Sequence, residues 1–137
     1  MCAQPVQELA AFQLCDKLMK TVEAATAKGP VAANRDFCNQ INDATLDAAS
    51  DVAEGFVRFY PREFARFLDY ALSSLEEVRV RAEAGYRRRY FSAADTSDIL
   101  NLALRSEKAI RRLRAYLWTV RREDPVAKPS EPYAGTS

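Results

Sequence analysis

Four carboxylates on one predicted helix carry the residue types and spacing best suited to chemistry in this chain. Asp43, Asp47, Asp51 and Glu54 follow one another at intervals of four, four and three residues. At about 3.6 residues per turn, they share one arc of a helix. Such an arc could hold a hard cation such as Mg²⁺. The simpler interpretation, which we favour, is a solvated acidic face or an ion-paired interface.

The composition removes most catalytic pairings. The chain has no histidine among its 137 residues, which excludes Ser–His and Cys–His nucleophilic pairs and histidine proton shuttles. It also excludes the Glu-x-x-His pairs that build di-iron sites in helical bundles. The sequence contains no glycine-rich phosphate loop. We therefore expect a protein that is not an enzyme and that needs no metal and no cofactor.

The three cysteines, Cys2, Cys15 and Cys38, lack the close spacing of a metal site. We expect Cys15 and Cys38 to pack as small core residues, as free cysteine usually does. No apolar run approaches the ~18 residues that a membrane span needs. The N-terminus carries no basic region followed by an apolar core, so it does not resemble a secretory signal. These features predict a reduced cytoplasmic protein without a membrane partner.

Basic residues are concentrated late in the chain. Residues 1–78 carry 7 basic and 12 acidic side chains, whereas residues 79–122 carry 12 basic and 4 acidic ones. Arginine suits phosphate, and neighbouring aromatic side chains (Tyr86, Tyr90 and Trp118) could stack on bases. The candidates for binding RNA or DNA are Arg87, Arg88, Arg89, Arg105, Lys108, Arg111, Arg112 and Arg122.

Two other interpretations of these charges remain open. The acidic arc of the second helix could meet the basic face of the fourth helix on a neighbouring subunit, which would steer and orient association. Alternatively, the basic face is simply solvated. Pairing of these charges, either between subunits or within one molecule, is the interpretation that we favour over nucleic-acid binding.

The apolar periodicity predicts four helices and no strand. They run from about residue 7 to 27, from 34 to 58, from Pro61 to a stop at Gly85, and from an N-cap at Ser92 onward. Helices of this length with short links favour an all-α, up-down-up-down four-helix bundle over residues 1–123. Residues 124–137, rich in proline and small residues, predict a disordered tail.

Two of the helices carry apolar residues away from their main stripe. A helix with two apolar faces usually packs against two partners, so these residues predict self-association. A ring would need two different patches that meet. The interface candidates are Leu46, Ala49 and Ala53 on the second helix, and Leu100, Leu104 and Trp118 on the fourth.

Three short motifs are Gln40-Ile41, Ala53-Glu54-Gly55 and Glu63-Phe64-Ala65-Arg66-Phe67-Leu68. Together they resemble the small four-helix-bundle family of 23S ribosomal RNA intervening sequences. The fold is also similar to that of accessory proteins of diversity-generating retroelements. The resemblance implies a cytosolic, non-enzymatic bundle that forms homo-oligomers, often pentameric rings. For some members it implies association with nucleic acid or a reverse transcriptase.

The signature residues of this family have a structural interpretation here. We expect Glu54 to pair with Arg58 or Arg66, and Gly55 to permit close approach of two helices. The matching residues are Glu54, Gly55, Arg58, Glu63, Phe64 and Arg66. The family's paired arginines are replaced by Asn42 and Asp43, which argues against nucleic-acid contact by the second helix.

The sequence thus predicts a self-assembling scaffold or accessory protein, with RNA or DNA binding as a candidate role of its basic face. Its partners would be further copies of itself, and RNA, DNA or an enzyme that acts on nucleic acid. The alternative is a purely structural homo-oligomer or protein–protein adaptor that binds no nucleic acid.

Overall fold

The computed structural model describes Val6 and residues 9–126. Within that part of the chain the structure is all-α and contains no strand. The four helices are α1 (Ala10–Thr26), α2 (Arg35–Phe56), α3 (Pro61–Arg87) and α4 (Ala93–Leu117), with a 3-10 turn at Pro30–Ala33 between α1 and α2. The predicted number and order of helices are confirmed.

Local signals explain where α2 begins. Gly29 adopts a φ of 73°, which glycine tolerates readily, and Pro30 opens the 3-10 turn that follows. Asn34 then caps α2, because its side-chain oxygen accepts a hydrogen bond from the Phe37 backbone N–H at 3.1 Å. The Asn34 amide also donates to the Tyr90 hydroxyl at 2.9 Å. One residue therefore starts α2 and ties it to the α3–α4 link.

The predicted stop of α3 at Gly85 is wrong. The helix continues to Arg87, and Gly85 serves packing instead. A Cβ built on Gly85 would lie 2.6 Å from the Phe91 ring, closer than real Cβ contacts. The left-handed residue that reverses the chain is Arg89, with a φ of 62°.

α4 begins at the predicted N-cap, but it ends before Arg122, which the sequence placed on the basic face of this helix. Ser92 caps it by accepting a hydrogen bond from the Asp95 backbone N–H at 3.0 Å. Leu117 is its last residue, and Trp118 is the C-cap. Arg122 consequently lies beyond the helix.

The segment after α4 returns to the α2–α3 link. The Val126 backbone N–H donates to the Phe59 carbonyl at 2.7 Å, and the Val126 side chain is buried. Packing therefore extends past the predicted boundary at residue 123. The rest of the predicted tail, from residue 127, lies outside the described residues.

The apolar stripes of the four helices meet in one core. Each helix packs against the next, and α4 packs against α1. The largest fully buried side chains come from all four helices, from the residue before α1 and from the 3-10 turn: Phe64, Leu9, Leu18, Ile41, Leu68, Leu75, Ile99, Ile110, Leu113, Leu117, Val22 and Val31.

Polar contacts show which helix ends are neighbours. Arg114, near the end of α4, donates from Nε to Asp69 near the start of α3 at 2.6 Å. Asn42 of α2 donates to Thr26 at the end of α1 at 2.9 Å. The end of α2 lies beside the start of α3, where Gly55 faces Phe64.

Candidate functional site

The acidic arc of α2 points mainly into solvent. Asp43, Asp47 and Glu54 are exposed, whereas Asp51 is half-buried. Burial, reinforced by the charges of Asp47 and Glu54, raises the pKa of Asp51 from 3.8 to about 6. Among the described residues, no group of three His, Cys, Asp or Glu side chains is placed to hold a metal ion.

Two cysteines occupy packed positions. Cys15 is fully buried, and burial raises the pKa of its thiol to about 12. Cys38 is half-buried, and its Sγ donates to the Val31 carbonyl at 3.2 Å. Burial also raises the pKa of the Cys38 thiol. A protonated thiol is a poor nucleophile, so neither side chain has the character of a reactive cysteine.

The signature residues form a structural corner between α2 and α3. Arg58 donates to Glu54 at 2.9 Å, one helical turn earlier, and the Arg58 guanidinium lies 4.7 Å from the centroid of the Phe67 ring. A Cβ on Gly55 would lie 2.9 Å from the Phe67 Cβ. Glu63 and Arg66 are exposed, and Phe64 is buried. Of the two expected partners of Glu54, the structure selects Arg58.

Three consecutive arginines stand at the α3–α4 link. Arg87 ends α3, Arg88 is its C-cap, and Arg89 occupies the left-handed turn position. All three are exposed. Within residues 9–126, no carboxylate forms an ion pair with any of them.

The basic residues of α4 differ in their surroundings. Arg105 and Lys108 are exposed. Arg111 is 3.9 Å from Glu107, and Arg112 is half-buried. Arg122 is exposed but lies outside the helix, so it does not continue this face.

The aromatic residues expected beside the arginines separate into different roles. Tyr90 is half-buried, and its hydroxyl accepts the hydrogen bond from Asn34. Its ring packs edge-on against Phe37, with the two ring centroids 5.1 Å apart. It is therefore a structural residue. Tyr86 stays exposed. Trp118 lies near the start of α3, where the guanidinium of Arg62 covers its ring at 3.5 Å, and thus far from the three consecutive arginines.

An apolar groove opens between the end of α3 and the start of α4. Its volume is about 660 Å³, and its walls include Tyr86, Leu100, Leu104 and Arg87. Leu104 is 45% exposed, and Leu100 is half-buried. Two predicted interface residues of α4 thus lie next to the first of the three consecutive arginines.

The predicted ridge on α2 needs a correction. Leu46 is 50% exposed, but Ala49 is only 4% exposed because it packs within the core of its own chain. Ala53 is half-buried. Leu46 is therefore the one residue of this trio that presents a large apolar side chain to solvent.

The sequence patterns did not indicate several exposed residues of functional interest at the α2–α3 link. Val57, Phe59 and Tyr60 are exposed in the α2–α3 link, and Arg62 lies against Trp118. The position of Arg62 just after the helix-starting Pro61 was the only signal available. No sequence spacing connects Arg62 to Trp118, because they meet through the packing of two different helices.

Among the described helices, none has the combination of length and apolar character required to cross a bilayer. A family profile described as 23S rRNA-intervening sequence protein matches residues 7–112. No curated protein sequence matches the chain.

Proposed function

The chain belongs to the 23S rRNA-intervening sequence protein family, and from that membership we propose a cytoplasmic, non-catalytic accessory protein that assembles with copies of itself and binds nucleic acid. The observation that carries the nucleic-acid part is the group of exposed cations at the α3–α4 link. Arg87, Arg88 and Arg89 have no acidic partner among the described residues. Arginine side chains presented in this way suit phosphate oxygens.

Exposed cations along α4 extend this group. Arg105 and Lys108 are both exposed and, within residues 9–126, form no ion pair. A polyanion that crosses from the link onto α4 would release counterions from its phosphates, and this release would supply most of the affinity. The acidic α2, with Asp43 and Asp47 exposed, is unsuited to the same ligand.

For self-assembly we propose a contact between two different surfaces. The first surface is Leu46 with Asp43 and Asp47 around it on α2. The second is the α3–α4 groove formed by Leu104 and its neighbours, with Arg87 on its wall. Opposite charge around an apolar centre favours one register of association. A contact between unlike patches closes into a ring when the rotation permits.

The remaining features of the proposal follow from the family resemblance and from the neighbouring helix ends. We propose an up-down-up-down arrangement, supported by the Asp69–Arg114 and Thr26–Asn42 contacts. We propose five copies as the ring size, since that is the assembly which the resemblance implies. An enzyme that acts on nucleic acid is a further candidate partner.

The nucleic-acid part is tested by titrating a fluorescent single-stranded RNA at several salt concentrations. We expect the logarithm of the affinity to fall linearly with the logarithm of the salt concentration. In the Arg87→Ala/Arg88→Ala double variant, this fall should be less steep by about 1.4, since about 0.7 is lost for each phosphate contact to a single strand. Arg89 is left unchanged in this variant, because its positive φ couples any substitution there to the backbone. The matched control is the Arg79→Ala/Arg81→Ala double variant, which also removes two charges, since Arg79 is already paired with Glu76 at 3.3 Å and Arg81 with Glu77 at 2.9 Å. Salt-independent binding, or none at low salt, contradicts this part.

A second candidate function is a structural homo-oligomer or adaptor without nucleic acid. The groove observation favours it, because Tyr86, Leu100 and Leu104 would be covered by a protein partner. Under this alternative, the arginines serve only to orient association. Self-association that is unchanged by added RNA, together with no RNA binding at low salt, would select this alternative.

A further inference from the structure

A second aromatic and cationic cluster lies at the opposite end of α3 from the three consecutive arginines. The Arg62 guanidinium lies 3.5 Å from the centroid of the Trp118 ring, and the Arg114 guanidinium lies 5.6 Å from it. Between Arg62 and Arg87, α3 rises by roughly 38 Å at about 1.5 Å per residue. The two clusters therefore cannot share a single nucleotide.

Trp118 lies against an arginine and still exposes about half of its surface to solvent. Arg62 is half-buried and lies over the indole, yet 48% of Trp118 remains exposed. A guanidinium stacked on an aromatic face restricts the motion of both groups. The exposed part of the indole is thus a positioned, solvent-accessible aromatic surface.

The charge around this surface is positive. Arg114 is neutralised by Asp69, with which it forms hydrogen bonds at 2.6 and 3.4 Å. Arg62 and Arg66 have no ion pair within residues 9–126, and the buried Nη1 of Arg62 has no hydrogen-bond partner. Arg66 is exposed and lies one turn after Arg62, on the same face of α3.

We propose that Trp118, Arg62 and Arg66 form a stacking site for an unpaired base of single-stranded nucleic acid. The base stacks on the exposed part of the Trp118 ring, and Arg66 contacts the adjacent phosphate. A duplex does not fit this chemistry, because its bases are already stacked and paired. Stacking needs only the flat face that every base has, so we expect binding to tolerate any sequence.

This inference rests on the proposed nucleic-acid binding, and it names the form of the ligand and a second contact point. A strand that reaches both ends of α3 would lie along the side of the molecule where α3 meets α4. The unpaired cations, Arg66 at one end and Arg87 beside the α3–α4 groove at the other, would hold its phosphates. The ion pairs Asp69–Arg114 and Glu107–Arg79 lie between them.

Trp118 is the only tryptophan in the chain, so its emission reports directly on this site. The experiment titrates the full-length protein with a thymidine oligonucleotide of about fifteen nucleotides, a length near the upper site size of single-strand binders. An abasic oligonucleotide of equal length provides phosphates without bases. We expect saturable quenching by the first and none by the second. Equal quenching by both, or quenching by neither, overturns the inference.

Two variants separate stacking from charge. Trp118→Ala removes the platform, and we expect about tenfold weaker binding of the thymidine strand by fluorescence anisotropy. Arg66→Glu keeps the tryptophan and changes only an exposed side chain, and we expect at least a similar loss. Lys17→Glu on α1 is the matched control, because it makes the same change in net charge at an exposed site. Equal losses for Arg66→Glu and Lys17→Glu overturn the inference.

The outcomes also distinguish this inference from the proposed function. If the strand binds in a salt-sensitive way and Arg88→Ala weakens it, while Trp118 emission stays constant, the proposed function stands and this inference fails. If no oligonucleotide binds at low salt, both fail. If emission changes with protein concentration alone, a second copy covers Trp118, and the stacking site is overturned.

Discussion

At the scale of individual residues, Asp51 is a carboxylate whose surroundings disfavour its charged form. It is half-buried on α2 with Asp47 and Glu54 nearby, and burial raises its pKa to about 6. The folded protein therefore binds more protons than the unfolded chain between pH 3.8 and about 6. Its contribution to stability is present below that window and is lost as the pH rises through it. At neutral pH, the ionised Asp51 destabilises the fold.

We predict that Asp51→Asn stabilises the protein at neutral pH. Removing the charge should raise the free energy of unfolding by about 1 kcal/mol, a value discounted for the partial exposure of the side chain. Urea unfolding at pH 7.5 should show the gain, and the difference should nearly vanish at pH 4.

The matched control for Asp51 is Asp43→Asn on the same helix. Asp43 is exposed, so the neutral amide should change stability by less than about 0.5 kcal/mol. A loss of stability in Asp51→Asn at pH 7.5, or an equal gain at both pH values, contradicts the prediction.

At the scale of the helices, the corner between α2 and α3 depends on Gly55. Any Cβ there would meet Phe67 at 2.9 Å and the Phe64 ring at 3.0 Å. Overpacking of a filled core costs about 1–3 kcal/mol, whereas alanine in place of glycine gains at most about 1 kcal/mol of helix propensity. Since the strain exceeds the gain, we predict a net destabilisation of about 1–2 kcal/mol for Gly55→Ala.

Chemical denaturation of Gly55→Ala measures this loss. Ser50→Ala is a suitable control, because Ser50 is an exposed position on the same helix and its substitution should stay within about 0.5 kcal/mol. An unchanged or higher midpoint for Gly55→Ala would show that the helices can separate without cost.

The helices themselves could be predicted because their signals are local. Ser92 with Asp95 marked the start of α4, and Pro61 marked the start of α3. Gly85 misled the prediction, since its role is set by the Phe91 ring that packs against it. A glycine that ends a helix and one that admits a neighbour have the same sequence signal.

The candidate surfaces were only partly predictable for a related reason. Exposed arginines such as Arg88 are apparent from composition, because charged side chains rarely pack inside. The Arg62–Trp118 contact joins two helices, and no spacing along the chain indicates it. Ala49 was assigned to an open ridge, yet its small side chain packs within the core.

At the scale of the whole molecule, acidic and basic side chains are segregated. The exposed acids Asp43 and Asp47 lie on α2, whereas Arg87 and Lys108 belong to α3 and α4. Such asymmetry orients encounters between copies and weakens with added salt. The exposed Leu46 and Leu104 supply the apolar centres of the two proposed patches.

We predict that Leu104→Asp and Leu46→Asp each lower the molecular mass in solution. A charge at an apolar interface centre would be buried without a partner, which disfavours association. Light scattering after size-exclusion chromatography measures the mass, and circular dichroism verifies folding. Val80→Asp is the control, because Val80 is an exposed aliphatic residue outside both patches. An unchanged mass for both interface variants counts against this contact.

The hydrogen bond from Val126 to the Phe59 carbonyl has a practical consequence for handling the protein. A polypeptide that ends at Leu117, the last residue of α4, would lose this hydrogen bond and expose the apolar surface beneath Val126. Newly exposed apolar surface beside Val57 and Phe59 would promote aggregation. Shortened versions should therefore retain Val126. Comparing the yield of soluble protein between versions that end before and after Val126 checks this.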